Sequence, residues 1–107
     1  MQTIQYDDFT KVNLAVGTVV DVQEFPEARI SAYKLWIDFG EKIGTKKTSA
    51  QITDHYTPET LIGKQVVAVV NFPPKQIGKF MSECLVTGFP DEEGKTILIS
   101  PDRVVPN

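Results

Sequence analysis

The side chains in this sequence best suited to holding another molecule are concentrated in one stretch, Asn71 to Val86, which reads NFPPKQIGKFMSECLV. It carries two lysines, Lys75 and Lys79, two prolines, a glycine, and aromatic rings at Phe72 and Phe80. Positive charge beside a π-face suits single-stranded nucleic acid or a loosely structured chain. Covalent chemistry has fewer candidates. A nucleophilic cysteine needs a histidine within hydrogen-bond reach, and the chain offers one of each, Cys84 and His55. His55 lies in DHYTP, ahead of a short helix, where a surface or capping histidine is the usual case, and Cys84 reads as a small core hydrophobe. One His and one Cys cannot close a four-ligand metal site. The acidic DEEG at Asp91 to Gly94 reads as a hairpin turn and lacks the spacing of an EF-hand loop. GEKIG, from Gly40 to Gly44, reads as another turn. These residues describe a binding protein that needs no cofactor or metal, not an enzyme.

The bulk properties bound the rest. A chain of 107 residues has the usual length of one domain, here 1–107. With 41% hydrophobic residues it can bury a core, although a domain this small leaves much surface exposed and would gain from dimerisation. One cysteine excludes an internal disulfide. No basic-then-apolar opening reads as a signal peptide, so a cytoplasmic location is expected. The longest apolar run, VVAVV at Val66 to Val70, is far below the roughly 20 residues of a membrane span. The net charge of −3 argues against indiscriminate binding to nucleic acid, but it is unevenly spread. Residues 1–41 hold three basic and seven acidic side chains, residues 42–80 six and two, and residues 81–107 two and five. The middle segment can therefore supply a basic face on an acidic body.

The elements that must position these residues are mostly strands. Val16 to Phe25, Lys34 to Phe39, Lys46 to Ile52, Gln65 to Phe72, Glu83 to Phe89 and Thr96 to Ile99 are β-branched or aromatic runs bounded by Gly, Pro and acidic turns. Asp7 or Asp8 can cap a turn over Phe9 to Val12. Thr57 followed by Pro58 starts a short helix that runs to Ile62 and is stopped by Gly63. In KLWIDF, Leu35, Ile37 and Phe39 share one side, the core, while Lys34, Trp36 and Asp38 share the other. Strand 3 places Lys47, Ser49 and Gln51 on one side and Lys46, Thr48 and Ala50 on the other, so at least one lysine faces outward. Five main strands with a small helix between the third and fourth fit an all-β barrel of either the OB or the SH3-like order.

DFTKVNLAVGTVV, EFPEARISAYKLWIDFG and KTSAQITDHYTPETLIGKQVVAVVNF, together with the 71–86 stretch, resemble the tRNA-binding-domain family over roughly residues 8 to 100. Within it, EFPEAR, SAQIT and VVNFPP are similar to the small CsaA group, described as export-related chaperones. The resemblance implies an OB-fold, a five-stranded barrel over about 13–90, with extensions 1–12 and 91–107 in contact across a homodimer. In that fold the ligand face is formed by strands 2 and 3 with the loops between strands 1 and 2 and strands 4 and 5, which makes Trp36 a candidate platform. It further implies contact with tRNA or another structured RNA through Lys47, Asn71, Lys75, Lys79 and Ser82. An apolar groove of Trp36, Phe72, Pro74 and Phe80 would suit unfolded polypeptides or preproteins. Asn13 and Ala15 stand where the family often has an acidic residue and an arginine, so modest affinity for tRNA is expected.

Overall fold

The computed structural model describes residues 1–106. Helix α1 (Tyr6–Thr10) precedes a long strand β1 (Leu14–Glu24), followed by β2 (Tyr33–Asp38), β3 (Thr45–Ala50), helix α2 (Pro58–Leu61) and β4 (Gln65–Val69). Four short strands and one more complete the chain: β5 (Lys75–Ile77), β6 (Phe80–Ser82), β7 (Leu85–Val86), β8 (Gly88–Pro90) and β9 (Thr96–Leu98). Strands β3, β2, β1, β4 and β7 pair antiparallel in that order. They form a five-stranded, nearly closed, OB-like barrel with the short helix α2 between β3 and β4. Among the described residues no helix is long and apolar enough to cross a membrane.

Alternation on β2 is realised as the sequence predicts. Leu35 and Ile37 are fully buried and Phe39 nearly so, joined in the core by Val19, Leu61, Val66 and Ala68. β1 keeps its apolar side inward by a β-bulge. Its register against β2 shifts between Val19 and Asp21, so the buried positions pass from Val19 to Val22 while Val20 is turned out. Gly17 has a packing reason, because a Cβ there would stand 2.5 Å from Ile37 Cγ2 and 2.7 Å from the Phe39 ring. The start of α2 is as expected, with Thr57 Oγ1 accepting the Thr60 amide and Pro58 in the first turn. GEKIG is a turn closed by Gly44 N to Gly40 O at 2.7 Å, with both glycines at positive φ.

Four expectations are corrected. α1 begins at Tyr6 instead of Phe9, and Asp8 acts from inside its first turn by accepting the Gln5 amide at 2.8 Å. β4 ends at Val69 rather than Phe72. The stretch after it contains a hairpin, β5–β6, pairing Lys75 with Ser82 and Ile77 with Phe80. The single fifth strand from Glu83 to Phe89 is broken into β7 and β8, because the amide and hydroxyl of Thr87 both turn to Val67 O. The DEEG segment does turn between β8 and β9, where Asp91 Oδ1 accepts the Glu93 and Lys95 amides at 2.9 Å.

Candidate functional site

Between β3 and the chain at 82–84 the barrel is closed largely by side chains. Lys47 N donates to Glu83 Oε1 at 3.0 Å while Glu83 N donates to Lys47 O at 2.8 Å. Ser49 N donates to Ser82 Oγ at 2.7 Å, and Thr48 Oγ1 donates to Cys84 O at 2.7 Å. These bonds anchor the β5–β6 hairpin against the edge of β3. Ser82 is 8% exposed, and its hydroxyl belongs to this seam.

The anchored hairpin carries Phe80 over the outer side of the sheet. There the Phe80 ring meets Trp36 edge-on at 6.2 Å and Phe25 at 5.5 Å between centroids. Lys47 Nζ lies 5.2 Å and Lys34 Nζ 5.3 Å from the centre of the same ring, and Lys34 is also 4.7 Å from Phe25. Edge-to-face pairs of this kind contribute about 0.5–1.5 kcal/mol beyond area burial, and each cation over a ring about 0.5–1 kcal/mol at such half-open sites. Phe25 is buried, while Trp36, Phe80, Lys34 and Lys47 are half-buried. Lys34 Nζ lies 4.0 Å from Glu27 Oε2. The result is a preformed patch of two ammonium groups and two accessible rings.

A second surface opens where β3 and β7 part. A cleft of 490 Å³ is lined there by Phe72, Pro73, Ile77, Leu85 and Val86, with Lys75 as its charged residue. The predicted residues are thus divided. Lys47, Trp36 and Phe80 come together on the outer face, whereas Phe72, Lys75 and Ser82 border the cleft. Lys79 is exposed at the hairpin turn beside Gly78, which has φ 60°, and Pro74 is exposed. The Asn71 side chain is bonded within the framework. Its Nδ2 donates to Lys11 O at 2.7 Å and its Oδ1 accepts the Asn13 amide at 2.9 Å, clasping the segment before β1 to the end of β4. Lys34 and Phe25 were not singled out from sequence. The alternation of β2 already put Lys34 on the Trp36 side, but nothing local marks Phe25, whose face depends on how β1 ends.

Several other titratable residues pair within the framework. His55 Nε2 is 2.6 Å from Asp91 Oδ2, and Lys95 Nζ is 3.6 Å from Asp54 Oδ1. The Asp91 carboxyl is held below its ordinary 3.8, chiefly by the Lys95 amide and then by His55. Burial pushes the Cys84 thiol up to about 11, which disfavours a thiolate nucleophile.

The family model described as a tRNA binding domain matches residues 14–107. A solved CsaA chaperone protein from Picrophilus torridus is 49% identical, with a TM-score of 0.92, covering 97% of this chain and 95% of that one. The solved chaperone CsaA from Bacillus anthracis is also 49% identical, with a TM-score of 0.93 over 99% of this chain and 96% of that one. A methionine–tRNA ligase from Methanococcus aeolicus is 36% identical over 106 residues, 99% of this chain. The chain spans 15% of the length of that ligase.

Proposed function

This chain belongs to the tRNA-binding-domain family, and from that premise we propose that it is a non-catalytic RNA-binding protein, with tRNA as its foremost ligand, acting through the outer face of β2 and β3 beneath the β5–β6 hairpin. The observation that carries the proposal is the convergence of Lys34 and Lys47 on the Phe80 ring, edge-on to Trp36. Unstacked bases find ring faces there, and phosphates find ammonium groups that position the strand without reading its sequence. Lys79, at the hairpin turn, extends the positive edge, and the acidic remainder of the chain limits non-specific attachment. Binding of tRNA should weaken as salt rises. Replacing Lys34 and Lys47 by Ala should flatten the slope of log K against log salt by about 0.7 for each single-strand phosphate that the variant no longer neutralises. An unchanged slope in the double variant would rule this face out as the RNA site.

A homodimer is part of the same reading. Ile4, Tyr6, Phe9 and Val104 are all more than half exposed in the segments flanking the barrel. Those segments are held in place from the two ends of β4, by Asn71 on one side and by Gln65 on the other, whose amide pairs with the Val105 backbone at 2.7 and 2.8 Å. A second copy covering these side chains would present two binding faces to one long ligand. Light scattering should give twice the mass of 11.9 kDa, and a fully folded monomer at micromolar concentration would exclude it.

A second reading, an export-related chaperone that holds unfolded or precursor polypeptide, is favoured by the apolar cleft beside the hairpin and by the likeness to solved CsaA chaperones. Its binding would be insensitive to salt and sensitive to truncation of Phe72 and Leu85.

A further inference from the structure

We infer that Asp21 of β1, held in place by Gln23, reads the edge of a base stacked on Trp36 and favours guanine. This rests on the RNA reading above and adds to it a direction and a base preference.

The inference comes from the register of three adjacent strands. Asp21 is paired with Trp36, and Trp36 with Lys47; Gln23 is paired with Lys34, and Lys34 with Ser49. Directly opposed residues of antiparallel strands share a face. Two rows therefore cross the sheet from β1 to β3: acid, indole, ammonium, and beside it carboxamide, ammonium, hydroxyl. The burial pattern agrees, since Val22, Leu35 and Thr48 turn inward between them. The bulge makes the first row. Without the extra residue between Val19 and Asp21, Val20 would stand opposite Trp36, and the shifted register puts a carboxylate there instead. Bulges commonly re-aim a side chain beside a functional site.

Strands lie about 4.8 Å apart, so each row is about 10 Å long, a span similar to that from a nucleotide's phosphate to its Watson–Crick edge. With the phosphate drawn to Lys47 and the base on Trp36, that edge lies over Asp21. A carboxylate so placed repels phosphate, which fixes the strand's direction across the sheet. It is also an acceptor only. Its orientation is held, because Oδ1 accepts the Val22 amide at 2.9 Å and Oδ2 accepts Gln23 Nε2 at 3.3 Å, and each oxygen keeps a lone pair for a ligand. Guanine offers two adjacent donors, N1–H and the 2-amino group. Uracil offers one N–H between two carbonyls that the carboxylate repels, and adenine and cytosine offer one amino group each.

The test uses 5′-fluorescein-labelled single-stranded eight-nucleotide RNAs, all uridine or uridine with one central G, A or C, titrated by anisotropy. The wild-type protein should bind the G-containing strand about tenfold more tightly than the all-uridine strand, the factor for a good paired contact to a base edge. Asp21→Ala should erase that ratio while leaving the salt slope unchanged, and Lys47→Ala should flatten the slope while keeping the ratio. Thermal unfolding of Asp21→Ala at the wild-type temperature excludes a folding defect. RNA binding with no guanine preference, or a preference that survives in Asp21→Ala, would overturn the inference and leave the RNA reading standing. Failure of every RNA to bind, with an unfolded polypeptide binding instead, would overturn both.

Discussion

Beneath the β5–β6 hairpin the inner face meets two unlike surfaces. Phe80 is flanked by two lysines and an indole, while Ile77, its cross-strand neighbour, borders the aliphatic cleft of Leu85 and Val86. The first surface is built on a sheet face, where residues two apart alternate outward. The second lies at a strand edge, where β3 and β7 diverge. A face can hold a row of charges at fixed spacing, whereas an open edge can take an extended apolar chain. The contrast sets two surfaces of unlike chemistry within a few residues of one another, and salt and truncation would tell apart ligands that use one or the other.

The substitution with the largest expected effect should injure both surfaces. Ser82→Ala leaves the Ser49 amide without its partner in the seam, which should cost about 2 kcal/mol of stability and weaken RNA and polypeptide alike as the hairpin loosens; urea unfolding with paired binding assays reads it. Phe80→Ala should cost RNA binding about 1–2 kcal/mol by loss of a stacking ring, with polypeptide binding intact. Phe72, 51% exposed at the cleft, should show the reverse: Phe72→Ala should cost polypeptide binding about 1 kcal/mol and leave RNA untouched. If both truncations weaken both ligands equally, the two surfaces are one site.

The smallest effect belongs to a control outside both surfaces. Asp91 is held below its ordinary carboxylate value, so its hydrogen bonds contribute stability above the unfolded value. That contribution is lost as pH falls through the lower folded value. Asp91→Asn should therefore remove part of the acid dependence of the melting temperature below about pH 5, with no change in either ligand's affinity near neutrality.

What could be read from the sequence was what local pattern encodes. The inward set Leu35, Ile37 and Phe39, the Thr57–Pro58 helix start, and the turns at GEKIG and DEEG all follow from side-chain period and turn chemistry. The hairpin was not legible, because KQI and FMS are three-residue strands held by Ser82 and Glu83 against β3 rather than by their own propensity. The framework contacts of Asn71 were hidden for a related reason: its partners Lys11 and Asn13 lie about 60 positions away, beyond any local window. Trp36 was placed on the outer face by alternation alone, but its neighbours Phe25 and Phe80 depend on how two loops fold back.

The sole tryptophan makes the central claim directly measurable. Acrylamide quenching of Trp36 fluorescence should be appreciable in the free protein, reduced when single-stranded RNA saturates it, and unaltered by an apolar polypeptide bound in the cleft. Trp36 emission and quenching that do not move at saturating RNA would contradict an RNA site on the outer face of β2 and β3.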